Sequence, residues 1–149
     1  MGVTEQLLDL VETIARDAGR TAREYQRSLG AQVAGTKSSP TDVVTAADTA
    51  VEEQIRAAVA RVRPGDAIVG EEGADAAGTS GLRWVVDPID GTVNYLYGRG
   101  AYAVSIAVED EEGALVAVVH APVSGDTWTA RRGSGAWLNT QPVRPTTAD

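Results

Sequence analysis

Residues Trp84–Gly98, WVVDPIDGTVNYLYG, place two carboxylates three positions apart at the end of an apolar run. Val85 and the valine after it are typical of a buried strand. Pro88 favours an extended conformation for Asp87, so we expect the chain to leave the strand there and to make a tight bend through Asp90. The segment therefore predicts a strand followed by a non-helical turn that carries both carboxylates.

Gly91 and Thr92 follow this turn, where a short helical turn is expected to begin. Their backbone N–H groups and the threonine hydroxyl suit a phosphate oxygen. Carboxylates beside such amides indicate a site for a divalent metal ion and a phosphate group. For the bare segment, an Asp-Pro turn followed by a helix cap is the favoured interpretation. Other parts of the sequence are needed to distinguish these two interpretations.

The composition excludes several classes of protein. The chain has 149 residues, of which 43% are hydrophobic and 23% charged, as expected for one globular domain. Its net charge of −8 argues against a nucleic-acid partner, and Arg131-Arg132 is the one basic pair that stands out. With no cysteine and one histidine, a metal ion would need oxygen ligands. The N-terminal sequence resembles no signal peptide and no segment resembles a membrane span, so we expect a cytoplasmic protein without a membrane partner.

The N-terminal region has the apolar spacing of an amphipathic helix. From Thr4 onward, apolar residues recur at steps of three and four: Leu7, Val11, Ile14, Ala18, Ala22 and Tyr25. We expect this helix to end near Gly30, and the polar stretch from Gly30 to Pro40 to form a loop.

A second helix is predicted between this loop and Pro64-Gly65. The sequence Thr45-Ala-Ala-Asp48 has the form of a capping box, which would place Asp48 in the first helical turn. There the Asp48 carboxylate could serve the helix cap and dipole or belong to a functional site, and the local sequence leaves both roles open.

Short apolar runs predict strands in the remainder of the chain. A strand over Ala67 to Gly70 would deliver Glu71-Glu72, and a small-residue loop follows. Later runs continue an antiparallel pattern: residues 102–108, 114–120, 127–131 and 136–138. His120 ends one apolar strand, and we interpret it as structural. Two amphipathic helices and these strands predict an α+β fold, with the helices packed on an antiparallel sheet.

Three motifs in order resemble one known family. The segment Asp87–Thr92, DPIDGT, resembles the signature of the inositol monophosphatase family, which follows a hydrophobic strand. Residues 37–48, KSSPTDVVTAAD, and residues 68–72, IVGEE, match further segments of that family in the same order and spacing. The resemblance covers essentially the whole chain. It implies the first half of the family's layered αβαβα sandwich.

The resemblance also implies a magnesium-dependent phosphatase site. Glu71, Asp87 and the backbone carbonyl of Ile89 would hold a first Mg²⁺, and Asp87 would bridge to a second ion that Asp90 also holds. Thr92, held by Asp48, would orient the attacking water. The amides of Gly91 and Thr92 would cradle the phosphate, and Lys37 is a candidate on the loop over the site, although an exposed loop lysine is the alternative.

The chain departs from the family after the signature. Members carry a further metal-binding Asp in a Trp-Asp-x-Ala-Ala-Gly segment, and nothing here corresponds to it. We therefore expect residues 1–149 to be the N-terminal portion of such a domain, with the C-terminal half absent. The implied substrate is myo-inositol 1-phosphate or a similar sugar or polyol phosphate. Alternatives are a histidinol-phosphate or bisphosphate phosphatase, and an inactive fragment or metal- and phosphate-binding partner. A homodimer or completion by another chain is expected.

Overall fold

The structure is a computed structural model that describes residues 2–35, 39–71, 73 and 75–147. Its elements follow one another as α1 (Val3–Gly35), α2 (Pro40–Val62), β1 (Ala67–Val69), β2 (Arg83–Asp90), α3 (Thr92–Leu96), β3 (Ala103–Asp110), β4 (Gly113–His120), β5 (Thr127–Arg131), β6 (Gly135–Leu138) and β7 (Gln141–Val143). The α+β class is confirmed. Among the described residues, no helix combines the length and apolarity needed to cross a bilayer.

Helix α1 is longer than its sequence predicts. Its apolar stripe is buried as expected, with Val11, Ala18 and Ala22 fully shielded from solvent. The predicted end near Gly30 is wrong, because the helix continues to Gly35. One glycine destabilises a helix by only about 1 kcal/mol relative to alanine. Gly30 alone is therefore not enough to end α1. Lys37 lies outside the described residues.

Helix α2 starts earlier than predicted. Ser39 is its N-cap: the Ser39 hydroxyl accepts from the amide of Asp42 at 3.2 Å, and the Asp42 carboxylate accepts from the amide of Ser39 at 3.3 Å. Pro40 then occupies the first helical turn, where its missing N–H costs nothing. The predicted capping box at Thr45 is wrong, since that hydroxyl donates to the Thr41 carbonyl at 3.0 Å. Asp48 consequently lies two turns into the helix and is buried, at 6% exposure, rather than capping it.

The described residues contain a seven-stranded sheet in the order of the sequence, β1 to β7. Consecutive strands from β2 onward pair antiparallel, but β1 pairs parallel with β2, so the expected wholly antiparallel sheet is corrected at this edge. The segment between β1 and β2 runs back along the sheet before β2 begins, which makes the parallel pairing possible. Strand β7 was not predicted from the sequence.

The two faces of the sheet differ in their environment. One face packs against α1 and α2 and supplies the strand side of the core: Trp84, Val86, Val104, Ile106, Val108, Val116 and Val118. Val85 and Trp128 belong to the opposite face and remain 38% and 40% exposed. The core is therefore one layer of helices on one face of the sheet, and the candidate site lies where β2 ends.

Candidate active site

A β-bulge brings the two signature carboxylates to one side of β2. The sequence predicted that the chain leaves the strand at Asp87. This prediction is wrong, because β2 continues to Asp90. Asp87 pairs with Ser105 and Asp90 with Ala103, so β2 uses one residue more than β3 over this interval. In a regular strand, side chains three positions apart point to opposite faces. The extra residue cancels this alternation: Pro88 and Ile89 are both buried, while Asp87 is half-buried and Asp90 exposed.

Asp87 is the most perturbed carboxyl group of this region. Its Oδ1 is buried without a hydrogen-bond partner among the described residues. Burial, followed by the charges of Glu71 and Asp90, raises the pKa of Asp87 to about 6, while a hydrogen bond from the Ile89 amide opposes the shift. Parallel pairing of Val69 with Val85 carries Glu71 to the level of Asp87. The structure thus brings together the three carboxylates that the sequence proposed as ligands.

The donor chemistry of these residues fits a divalent cation. Mg²⁺ prefers hard oxygen ligands, and carboxylates are the ones available here. A cation would neutralise the repulsion from Glu71 and Asp90, which adds to the effect of burial on the pKa of Asp87, and would satisfy the unpaired Asp87 oxygen. Over the described parts of the chain, no three acidic, histidine or cysteine side chains already stand in an arrangement that could hold a metal ion. The three carboxylates therefore interact electrostatically but do not form a closed ligand cage in the described part of the chain.

Gly91 makes the connection from β2 to α3. It adopts φ 93° and ψ 42°, a left-handed conformation that strains other residues. A Cβ at this position would also lie 2.9 Å from the Ala101 carbonyl oxygen, so space requires glycine as well. Helix α3 begins at Thr92, which confirms the predicted helical turn, and no side chain caps its start. The first amides of α3 are consequently not used by a side-chain cap.

Thr92 and Asp48 occupy different environments. Thr92 is exposed at the start of α3, whereas Asp48 is buried on α2. Asp48 lies close enough to α3 for its charge to contribute to the raised pKa of Tyr95, after burial and Tyr102. Helix α2 therefore brings Asp48 to the neighbourhood of α3. The predicted contact between Asp48 and the Thr92 hydroxyl stays a prediction.

An open cleft of about 280 Å³ borders this end of β2 and is lined by Asp90, Gly91, Ala101, Tyr102, Ala103, Ala121 and Trp128. A larger cavity of about 380 Å³ lies between α1 and strands β5 and β6. Neither Asp87 nor Asp90 lines the larger cavity. The smaller cleft is lined by Asp90 and Gly91, so the chemistry of its residues rather than its size places it beside the candidate site.

His120 has the structural role that the sequence indicates. It is 6% exposed, and its Nδ1 lies 2.8 Å from the Thr127 hydroxyl oxygen. A Cβ added at Gly19 of α1 would lie 2.7 Å from the imidazole, so the ring fills the space beneath this glycine. Burial lowers the pKa of His120, which keeps the imidazole neutral in the core.

Sequence reasoning missed an ion pair between the buried Glu52 and the partly buried Arg56, beneath Glu71. Glu52 of α2 is 2% exposed and pairs with Arg56 at 3.3 Å. Gly70 and Gly73 flank Glu71 and lie against this pair. The two glycines were a visible signal in the sequence, but which side chains they accommodate depends on how the chain packs on α2.

Comparison with known proteins identifies relatives of the whole described region. The sequence profile of the inositol monophosphatase family matches residues 4–149. The chain is 42% identical over 145 residues to an inositol-1-monophosphatase of Mycobacterium leprae, a match covering 89% of this chain and 50% of that protein. It is 36% identical over 137 residues to a histidinol-phosphatase of Chlorobaculum parvum, with 92% and 52% covered.

The fold has solved counterparts as well. The crystal structure of extragenic suppressor protein suhB from Bartonella henselae superposes with a TM-score of 0.83 at 30% identity, covering 96% of this chain and 55% of that one. The Mycobacterium tuberculosis SuhB structure gives a TM-score of 0.80 at 33% identity, with 97% and 54% covered. The chain spans about half the length of the curated relatives it matches.

Proposed function

The chain belongs to the inositol monophosphatase family, and we propose that it forms a magnesium-dependent phosphomonoesterase site. The proposed substrate is myo-inositol 1-phosphate or a similar sugar or polyol phosphate. The observation that carries this proposal is the convergence of Glu71 and Asp90 on the half-buried Asp87. Three mutually repelling carboxylates, of which Asp90 borders an open cleft, are suited to divalent cations and an anionic substrate.

In this proposal Glu71, Asp87, the backbone carbonyl of Ile89 and Asp90 hold the metal ions. Bound magnesium would polarise the phosphate ester, lower the pKa of water and neutralise the leaving oxygen. The bulge in β2 serves this arrangement, because it turns Asp87 and Asp90 to the same side of the strand.

The remaining groups of the site would bind and orient. The amides of Gly91 and Thr92 are proposed to bind phosphate oxygens at the start of α3, where no side-chain cap competes. The Thr92 hydroxyl would orient the attacking water, and Asp48 would hold that hydroxyl from α2. The buried position of Asp48 keeps its carboxylate next to α3 rather than in bulk solvent. Lys37 remains a proposed loop contributor.

A histidinol-phosphate phosphatase is the second candidate. It is favoured by one observation, the 36% identity to the histidinol-phosphatase of Chlorobaculum parvum. Both substrates are small phosphate monoesters and would use the same carboxylates and amides. The two differ in the group that carries the phosphate, so an assay with both substrates in parallel separates them.

We propose that residues 1–149 act together with a further polypeptide segment, because the remaining acidic residues in the described part of the chain are poorly placed to complete a second metal site. After Asp90, the acidic turn at Asp110 lies at the far end of the β3–β4 hairpin, where Arg132 pairs with it. Asp126 lies nearer, but its Oδ1 accepts from Asn139 at 2.8 Å. We propose that the second metal site is short of ligands in this chain alone, and that a homodimer or another chain completes it. An inactive fragment that binds metal and phosphate is the limiting case.

Substitution of Asp90 tests the proposed function. Asp90→Asn should weaken Mg²⁺ binding in calorimetry and lower phosphatase activity at least ~100-fold, because one charge of the metal site is lost. Asp9→Asn, an exposed change on α1, is the matched control and should leave both measurements unchanged. Activity is measured on inositol 1-phosphate and histidinol phosphate, with and without an added segment of a relative that bears the further Asp. Full turnover by Asp90→Asn at saturating magnesium would contradict the proposal.

A further inference from the structure

An ion pair of α2, between the buried Glu52 and the partly buried Arg56, has no role in the site described so far. Glu52 is 2% exposed, and its partner Arg56, one turn later, has a side chain that is 19% exposed. Burying charges costs several kcal/mol per ion, and a buried pair often contributes no more stability than apolar residues of the same size. The fold therefore gains little stability from this pair, and its position needs another explanation.

The pair lies directly beneath the bend that carries Glu71. A Cβ on Gly70 would lie 2.1 Å from Oε1 and 2.6 Å from Cδ of Glu52, distances that no structure accommodates without movement. A Cβ on Gly73 would lie 2.9 Å from Oε2 of Glu52 and 3.1 Å from Nε of Arg56. The carboxylate and guanidinium thus occupy the side-chain space on both sides of Glu71.

Space, and not backbone conformation, is the reason for glycine at these two positions. Neither Gly70 nor Gly73 has a positive φ, in contrast to Gly91. Their lack of a side chain instead allows the backbone to approach α2 until it touches the ion pair. Nη2 of Arg56 is buried, has no hydrogen-bond partner among the described residues, and lies 3.0 Å from the Cβ position of Gly70. Both members of the pair therefore face the bend.

From these contacts we propose that Glu52 and Arg56 are positioning residues, which hold the bend at Gly70, Glu71 and Gly73 against α2 and so aim Glu71 at Asp87. The inference rests on the proposed function only in taking Glu71 as a metal ligand. The contact between the ion pair and the bend belongs to the metal-free protein. Groups that orient a metal ligand from behind commonly change metal affinity 10- to 100-fold when altered.

The first experiment measures the bend without metal. Glu52→Gln keeps the size of the side chain and removes its charge, and Glu53→Gln, an exposed neighbour on the same helix, is the matched control. In metal-free protein, amide hydrogen exchange at Gly70, Glu71 and Gly73 should accelerate at least ~10-fold in Glu52→Gln, with the amides of β2 unchanged. Equal exchange rates in both variants would overturn the inference.

The second experiment tests the contact by a double-mutant cycle. Gly70→Ala should accelerate exchange in the bend at least ~10-fold in the wild-type background, because its methyl group collides with Glu52. In a Glu52→Ala background, Gly70→Ala should add less than ~3-fold, since the colliding carboxylate is gone. Strictly additive effects would overturn the inference. Should Glu52→Ala fail to fold, the milder truncation Glu52→Asp carries the test, because it draws the carboxylate back from the Cβ position of Gly70.

A magnesium titration joins the inference to the site. The Kd for Mg²⁺ should rise about 10-fold in Glu52→Gln and stay unchanged in Glu53→Gln. If the wild-type chain bound no Mg²⁺, the proposed function would fail, while the exchange measurements would still decide whether the pair holds the bend. If the wild-type chain binds Mg²⁺ and Glu52→Gln binds it equally well, the positioning role is wrong and the proposed function stands.

Discussion

Asp66 and Asp87 lie near opposite ends of β2, and their carboxyl groups are perturbed in opposite directions. Burial raises the pKa of Asp66, but hydrogen bonds from Arg63, Ser80 and Trp84 outweigh it, so the net shift is downward. Burial also raises the pKa of Asp87, and there the neighbouring charges of Glu71 and Asp90 add to the increase. One carboxylate is surrounded by donors and the other by like charges.

This difference distinguishes a carboxylate that stabilises the fold, Asp66, from one in the candidate ligand site, Asp87. The Asp66 carboxylate accepts from Arg63 Nε at 2.9 Å, from the Ser80 hydroxyl at 2.7 Å and from the indole Nε1 of Trp84 at 2.8 Å. These bonds tie the end of α2 and the loop before β2 to the sheet. At Asp87, by contrast, an oxygen remains unpaired among the described residues. A carboxylate that accepts hydrogen bonds from its neighbours stabilises the fold. A buried carboxylate oxygen without a donor destabilises the fold but can bind a ligand.

The largest effect is expected where the satisfied carboxylate is removed. Asp66→Ala should lower the free energy of unfolding by about 3 kcal/mol, because it leaves the buried Trp84 indole N–H and the Arg63 guanidinium without their acceptor. Urea denaturation measures the change. Asp75→Ala, in an exposed part of the loop, is the control and should fall within about 0.5 kcal/mol of wild type. Equal stability of the two variants would remove the distinction between the two ends of β2.

Protonation of Asp66 at low pH should lower the free energy of unfolding less than the Asp66→Ala substitution does. The folded pKa lies below the ordinary value of 3.8, so the stabilisation is complete above pH 3.8 and is lost as the pH falls through the folded pKa. The stability difference between wild type and Asp66→Asn should therefore be constant above this pH and shrink below it. Urea midpoints of both proteins across this range measure the difference. A difference that grows on acidification would show that the sign of the shift is wrong.

The opposite sign is expected at Asp87. Its folded pKa of about 6 exceeds the ordinary 3.8, so in metal-free protein the ionised group destabilises the fold above pH 6, and this penalty disappears as the pH falls towards 3.8. Asp87→Asn should stabilise metal-free protein by about 1–2 kcal/mol at pH 7.5, with no gain at pH 3.5. Thermal unfolding in chelator at both pH values gives the answer. Destabilisation by Asp87→Asn at pH 7.5 would mean that Asp87 contributes to folding as Asp66 does.

Ser80→Ala is the mildest change at the Asp66 end. It removes one donor to the Asp66 carboxylate and leaves the bonds from Arg63 and Trp84 in place. We expect a loss of about 1 kcal/mol in unfolding free energy, together with a higher pKa of Asp66, which carboxyl-carbon NMR titration can follow. Ser28→Ala, whose hydroxyl donates to the Tyr25 carbonyl on α1, is a comparison outside this network. An unchanged Asp66 pKa would show that Ser80 does not contribute to the shift.

Local sequence predicted the helices, most of the strands and the carboxylates of the candidate site. The relative positions of these carboxylates depend on how the strands pair, which local sequence does not show. The Asp87–Asp90 spacing was visible, whereas the bulge that turns both to one side exists only through the register with β3. Likewise, periodicity cannot tell whether a short strand such as β1 pairs parallel or antiparallel. Asp66 was overlooked because its partners come from the end of α2, the loop before β2 and β2 itself.

The misplaced start of α2 has a local cause. Two segments have the spacing of a capping box, one at Ser39 and one at Thr45, and the earlier one also has a proline at the first helical position. That proline favours the earlier start, since its fixed φ and missing N–H suit the first helical position. With the correct start, Asp48 changes from a capping residue to a buried carboxylate of the helix interior, and its role in the site stays a prediction.

The order of strands in the sheet has a consequence for how the chain folds. From β2 to β7, each strand pairs with its successor across a connection that is short in sequence, so these closures lose little chain entropy. Helix α1 is different, because the strands it packs against, β3 and β4, come much later in the chain. During synthesis α1 would leave the ribosome first and could pack against α2, the next element, but it would gain its sheet partners late. The meander of strands is therefore expected to assemble as a nucleus onto which the earliest-made helix docks.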